Sequence, residues 1–202
     1  MSERGEQLYY AEGFRGSFKK YIEIKDSVEG ILAESAGDIF IRHGDEEYER
    51  LMKSSNAQAK KGLSSFLADA ALLREQNSDE IVGFTYAFPA SISRSSLYVQ
   101  EQVENDMSAD TFEHLQGQSA EVGWTAISEA HRGKGGWSLM METLEARLKA
   151  RDYDYMTRFA RVDNGYADKI KQRYGEEKIV YEFPYEEADY MGKQVYFRTK
   201  LK

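Results

Sequence analysis

Between Glu121 and Gly136 the chain reads Glu-Val-Gly-Trp-Thr-Ala-Ile-Ser-Glu-Ala-His-Arg-Gly-Lys-Gly-Gly, a strand-like stretch running into a glycine-rich turn that carries Arg132 and Lys134. From Trp137 onward the pattern turns helical. A glycine turn that opens a helix is suited to bind an anion. The first amide groups of the helix have no acceptor within it, and the aligned peptide dipoles add roughly half a positive charge there. Gly133, Gly135 and Gly136 let the backbone turn tightly and let a phosphate come close, while Arg132 and Lys134 add full charges. The bland alternative is a glycine turn that merely joins a strand to a helix.

Two other phosphate grips fit less well. The NTPase loop needs Gly-x-x-x-x-Gly-Lys followed by Ser or Thr; here Gly135 follows Lys134, and Ser128 stands where the first glycine belongs. The dinucleotide fingerprint Gly-x-Gly-x-x-Gly finds Gly133 and Gly135, but Ser138 occupies its third position.

The segment resembles the GNAT superfamily of acetyl-CoA-dependent N-acyltransferases. Members carry a strand of Glu-Ile-Gly-like pattern, an Arg-Gly-x-Gly-x-Gly/Ala turn and a long amphipathic helix. Glu121-Val122-Gly123 and Arg132-Gly133-Lys134-Gly135 are similar in identity and spacing, and Asn164, Ala167 and Gly175 repeat the family's downstream spacing. The resemblance covers roughly residues 38 to 202. It departs at two positions: Trp137 stands where a small residue closes the loop, and Lys171 where a tyrosine often follows the Asn.

The resemblance implies a function: an acetyl group moves from acetyl-CoA, the donor cosubstrate, to an amine by direct attack within a ternary complex. It implies that Arg132, Gly133, Lys134, Gly135, Gly136 and Trp137 hold the pyrophosphate, that Ala126 and Ile127 pair by backbone with the pantetheine arm, and that Asn164 and Lys171 add contacts to the cofactor. Glu121 is then the candidate base, because a primary amine is mostly protonated at neutral pH and must lose a proton before attack; the alternative is a carboxylate that only orients substrate or pairs with Arg132. Tyr174 and Tyr166 are the candidate acids for the departing thiolate, with packing on a helix face as the alternative for each. The Trp137 ring either turns into the core or alters the cofactor's approach. A catalytically silent acyl-CoA binder and an enzyme using a longer acyl donor are the competing readings.

These residues need elements to position them. Trp137, Met140, Met141, Leu144 and Leu148 form one apolar stripe of a helix running to about Lys149, on which Glu145 and Lys149 are spaced to pair. A strand near 155–162 follows, then a helix from about Tyr166 to Tyr174, capped by Asp163 or Asn164 and stopped at Gly175. Strands are predicted at 66–73, at 81–88 with Val82, Phe84, Tyr86 and Phe88 on one face, at 121–127, and near 179–185 and 194–199. A strand at 39–41, a helix at 45–61 and helical stretches at 98–107 and 109–115 complete the reading. Phe84, Tyr86, Phe88 and Trp124 read either as core or as the lining of an acceptor pocket. The expected fold is α+β: a mixed, mostly antiparallel twisted sheet flanked by helices, GNAT-like, with one parallel β-α-β crossover carrying the cofactor loop. Residues 1–37 read as an extension packed on the domain, helix or extra hairpin, and 38–202 as the domain itself with a long insertion at 90–119.

Bulk composition narrows the classes. With 41% hydrophobic and 31% charged residues the chain is too apolar for disorder. No apolar run approaches the roughly 20 residues of a membrane helix, and the charged start Met1–Glu6 is followed by no leader-like run. The net charge of −8 disfavours nucleic acid. The chain has no cysteine, which excludes disulfides and a thioester relay through the protein and suits a cytoplasmic setting. His43, His114 and His131 lack metal-ligand spacing, so no metal is expected. The expected partner is a small-molecule or peptide amine, with neither nucleic acid nor membrane; a homodimer is compatible.

Overall fold

A computed structural model describes residues 8–17, 31, 67–90, 118–186 and 193–201. The strand expected at 39–41, the helix at 45–61 and the helical stretches at 98–107 and 109–115 lie outside the described residues. The elements are β1 Tyr9–Ser17, β2 Leu67–Glu75, β3 Ile81–Pro89, β4 Ser119–Ile127, a 3-10 turn Glu129–His131, α1 Gly136–Lys149, β5 Tyr155–Arg161, α2 Tyr166–Tyr174, β6 Ile179–Glu186 and β7 Lys193–Lys200. The strands form a seven-stranded mixed sheet in the order β1-β2-β3-β4-β5-β7-β6. It is mostly antiparallel, with β4 and β5 its one parallel pair, as expected for a chain that crosses between them through α1. Tyr9–Ser17, which the sequence leaves between helix and hairpin, is a strand paired antiparallel with β2 from Tyr9↔Glu75 to Ser17↔Leu67. Among the described residues no helix is long and apolar enough to cross a membrane.

The chain divides into two compact units, Met1–Tyr86 with Trp124–Leu144, and Ala87–Gly123 with Glu145–Lys202. In the first unit, Leu72, Phe84, Ala126 and Ile31 form a buried cluster, with Phe14, Ile81 and Tyr86 packed against it. The Phe84 and Tyr86 rings lie parallel with centroids 6.4 Å apart. Phe84 therefore belongs to the core, while the side chain of Trp124 lies outside the described set. In the second unit, β7 pairs with β5 along its whole length, from Tyr155↔Lys200 to Arg161↔Gln194, and β6 pairs on β7's other side with a register shift between Ile179 and Tyr181. Ala120, Leu148, Met156, Ala160, Ile170 and Phe197 are among its fully buried apolar residues.

The α1 stripe is buried as the 3.6-residue period requires: Met140, Met141, Leu144 and Leu148 are almost wholly inaccessible. One expectation on this helix is corrected. Glu145 gives its carboxylate to Arg173 and Tyr174 of α2 and not to Lys149, because a partly buried guanidinium and phenol hold it better than a solvated i+4 lysine can.

Candidate functional site

The first unit carries the glycine loop. Arg132 leaves the 3-10 turn in extended conformation, Gly133 and Gly135 take φ of 75° and 84°, and α1 begins at Gly136. The positive φ values are what demand glycine at the first two positions. Gly136 needs glycine for another reason: a Cβ there would overlap Cδ2 of Leu73, which is fully buried. Around Gly133 and Gly135 the space is open, with nothing within 4 Å of an added Cβ. The amides of Gly133, Lys134, Gly135 and Gly136 donate to no group among the described residues. Amides at the start of a 14-residue helix, with Gly133, Lys134 and Gly135 exposed, are a donor set suited to an anion.

The loop is braced from three sides. Arg132 Nε donates to the Ile127 carbonyl at 2.9 Å, and the Ser128 amide donates to the Val82 carbonyl at 2.9 Å. The Tyr9 hydroxyl meets His131 Nδ1 at 3.0 Å. Gly83 lets β3 lie against the end of β4; a Cβ there would stand 3.0 Å from the Ala126 carbonyl and 3.1 Å from Ile127 Cγ1. Trp137 is half-buried and its indole nitrogen is shut off from solvent, so the ring rests against protein.

The second unit holds Glu121, Asn164, Tyr166, Lys171 and Tyr174. The β4–β5 ladder has only the pairs Ser119↔Tyr155, Ala120↔Met156 and Glu121↔Thr157, although both strands run on. Glu121 is thus the last residue of β4 that pairs with β5, and it is 4% exposed. Register puts Glu121, Thr157 and Arg198 in one row on one face, and all three are buried. The Thr157 hydroxyl makes no hydrogen bond among the described residues. Such a group costs about 1–3 kcal/mol unless water or a ligand meets it.

Strand alternation sends the next residue, Arg158, to the opposite face. Its buried guanidinium donates from Nη1 to the Tyr166 hydroxyl at 3.2 Å, and from Nη2 to the Tyr174 hydroxyl at 3.3 Å and Met156 Sδ at 2.9 Å. Tyr174 in turn donates to Glu145 Oε1 at 2.7 Å. Burial works against the charge of Arg158, yet the two phenols and Glu145 outweigh it and raise its pKa. Burial is also the main reason the Tyr174 phenol is pushed up to about 12, with Arg158 opposing and Glu145 reinforcing.

The two candidate tyrosines are therefore brought together, on one guanidinium that the sequence did not single out. Arg158 reads as ordinary strand alternation; the only signal in its favour is a charged residue between Met156-Thr157 and Phe159-Ala160 in an otherwise apolar run. Asn164 Oδ1 accepts from the Tyr166 amide at 3.0 Å, so its side chain braces the start of α2, where Gly165 is the formal cap in left-handed conformation. Lys171 is exposed, and its ammonium lies 6.0 Å from the centroid of the Phe197 ring.

No family model and no curated protein sequence matches the chain. Solved structures do. An N-acetyltransferase from Staphylococcus aureus Mu50 superposes with a TM-score of 0.54 at 14% identity, over 95% of this chain and 99% of that one. A GCN5-related N-acetyltransferase from Kribbella flavida gives 0.52 at 10% identity, over 94% and 97%. The Salmonella typhimurium protein yncA, solved with its cofactor acetyl-CoA, gives 0.50 at 12% identity, over 95% and 94%.

Proposed function

From a chain that has the GNAT fold, we propose an acetyltransferase that takes the acetyl group of acetyl-CoA and passes it to an amine, small molecule or peptide, by direct attack in a ternary complex. The observation that carries this reading is the run of amides at Gly133–Gly136 that have no acceptor among the described residues, with open space around Gly133 and Gly135 at the N-terminus of α1. They suit the pyrophosphate of coenzyme A, with Lys134 and Arg132 supplying charge. Ala126 and Ile127 supply strand backbone to the pantetheine arm, and Gly136 and Trp137 form the foot of the loop. Asn164 and Lys171 add contacts from α2. The end of the β4–β5 ladder at Glu121 supports the second half of the reading, since it leaves the rest of β4 without a partner on its β5 side, beside a buried carboxylate.

Glu121 removes a proton from the incoming ammonium, directly or through water, and the neutral amine attacks the thioester carbonyl. A backbone amide near Ile127 meets the oxyanion; one such donor is worth about 10²–10³ in rate. The C–S bond then breaks, and the sulfur takes a proton from a phenol. The cysteine-free chain offers no thiol for an acyl-enzyme and suits a cytoplasmic setting.

Calorimetry with coenzyme A, acetyl-CoA and ATP tests this. Both thio-cofactors should bind more tightly than ATP, and Arg132→Ala with Lys134→Ala should weaken them about tenfold or more at low salt. Unchanged affinity in that double variant removes the loop from the site. Glu121→Gln should slow turnover while cofactor affinity stays near normal. Tight binding with no turnover on any amine would favour a silent acyl-CoA binder.

A further inference from the structure

Thr157 is a buried threonine that the fold alone does not explain. We propose that its hydroxyl selects the acceptor: with Arg198 it picks out an amine that also carries a carboxylate, an amino acid and not a plain alkylamine. The inference rests on the acetyl-transfer reading above and names the class of its acceptor. Three threonines are fully buried among the described residues, Thr85, Thr157 and Thr199. Thr85 Oγ1 meets Thr125 Oγ1 at 2.8 Å, and Thr199 Oγ1 donates to the Met156 carbonyl at 3.1 Å. Thr157 Oγ1 has no hydrogen bond among the described residues, at 0% exposure. A valine would fill the same volume in a strand without stranding a polar atom, so packing does not account for the hydroxyl.

Its neighbours give the hydroxyl a use. Thr157 pairs with Glu121 on one side and with Arg198 on the other, and paired residues point to the same face of a sheet. A carboxylate, a hydroxyl and a guanidinium therefore stand in one row across β4, β5 and β7, with Glu121 4% and Arg198 2% exposed. Strands lie about 4.8 Å apart, so the row spans about 10 Å from Glu121 to Arg198. Along it the charge runs negative, neutral, positive, the complement of a zwitterion. An amino acid with its ammonium at Glu121 turns its carboxylate toward Thr157, which donates to it, and toward the positive charge of Arg198. Arg198 contributes that charge and needs no spare donor to do so. The β4–β5 ladder ends at this same row, which places it beside the stretch of β4 assigned above to the thioester arm. Gln194 lies on the same face, and its Nε2 has no hydrogen bond among the described residues. It stands four positions from Arg198 along β7, about 13 Å away, out of reach of so small a molecule.

The test uses acceptors that share a side chain: an L-amino acid, its amide and the decarboxylated amine, each with acetyl-CoA. For wild type, Thr157→Val, Thr157→Ser, Arg198→Gln and Gln194→Met, kcat and KM are measured, with coenzyme A affinity by calorimetry and stability in urea. Wild type should favour the amino acid over the decarboxylated amine about a hundredfold in kcat/KM. Thr157→Val should cut that preference about tenfold through the KM of the amino acid, with coenzyme A affinity unchanged. Its urea midpoint should equal or exceed that of wild type, an outcome that a hydroxyl kept for structure would not give. Thr157→Ser keeps the hydroxyl and should keep the preference. Arg198→Gln should bring the amino acid down to the level of its amide, and Gln194→Met should leave the ranking unchanged. If Arg198→Gln does not fold, the wild-type ratio of amino acid to amide decides in its place, and about tenfold or more is expected. Equal use of the three acceptors by wild type, or a Thr157→Val loss shared equally among them, overturns the assignment and leaves the transfer reading standing. A wild type that binds coenzyme A but acetylates no amine overturns the transfer reading itself, and this inference with it.

Discussion

The Tyr9 hydroxyl and His131 Nδ1 stand 3.0 Å apart, and their rings meet edge to face at 5.7 Å between centroids, joining the start of β1 to the residue before Arg132. The glycine loop is therefore braced by a strand 122 positions away in sequence. Tyr9→Phe should keep the ring contact and lose the hydrogen bond, costing about 0.5–1.5 kcal/mol in urea unfolding. If the brace preorganises the loop, coenzyme A affinity should fall a few-fold in the same variant. Wild-type stability in Tyr9→Phe would mean that the hydrogen bond contributes nothing.

Gly136 and Leu73 make a second brace. An alanine Cβ at 136 would overlap Leu73 Cδ2 and lie 3.4 Å from Cδ1, and Leu73 is fully buried, so it cannot swing into solvent. Gly136→Ala should destabilise by about 1–3 kcal/mol despite the better helix propensity of alanine. Adding Leu73→Ala should make the Gly136→Ala substitution close to neutral relative to Leu73→Ala alone. Additive losses in that cycle would show that the overlap is not the cause.

Tyr174 should make stability depend on alkaline pH. Burial raises its folded pKa to about 12, above the ordinary value of 10.0. The folded state then binds a proton that the unfolded state has lost, so this contribution is whole below pH 10 and disappears as pH rises through about 12. The stability of wild type relative to Tyr174→Phe should shrink on the order of 2 kcal/mol across that window. Denaturation curves for the two proteins at several pH values would show it, and curves that stay parallel would place the phenol in solvent.

Much of this arrangement is legible along the chain wherever a local rule decides it. The stripe Met140, Met141, Leu144 and Leu148 is buried because its spacing leaves it no other face, and α2 spans the predicted Tyr166–Tyr174 because Gly175, at φ 66°, ends it. The glycine loop is legible too, since few other sequences put charges and positive-φ positions at a helix start. What depends on distant pairing is not. Tyr9–Ser17 contains Gly13 and Gly16 and no clean alternation, and its strand character comes from β2, some fifty residues on. The placement of β7 between β5 and β6 leaves no local trace, because both strands would read alike in either order. Arg158 and Glu145 acquire their roles only when α1, β5 and α2 come together, and spacing alone sends Glu145 to Lys149.

Asn164 separates two roles that its sequence position cannot. Its Oδ1 accepts from the Tyr166 amide at 3.0 Å, satisfying a donor at the start of α2. Asn164→Ala should therefore cost about 1 kcal/mol of stability, as loss of a capping side chain usually does. Asn164→Asp keeps an acceptor oxygen in place and adds a negative charge at a helix N-terminus, so it should be as stable as wild type or slightly more so. Coenzyme A affinity then reads out the other role. If Asn164 also touches the cofactor, the aspartate variant should bind more weakly while remaining fully folded, through repulsion of phosphate or loss of the amide donor. If both variants bind like wild type, Asn164 only braces the helix, and its match to the family spacing reflects the turn before α2 and not the ligand.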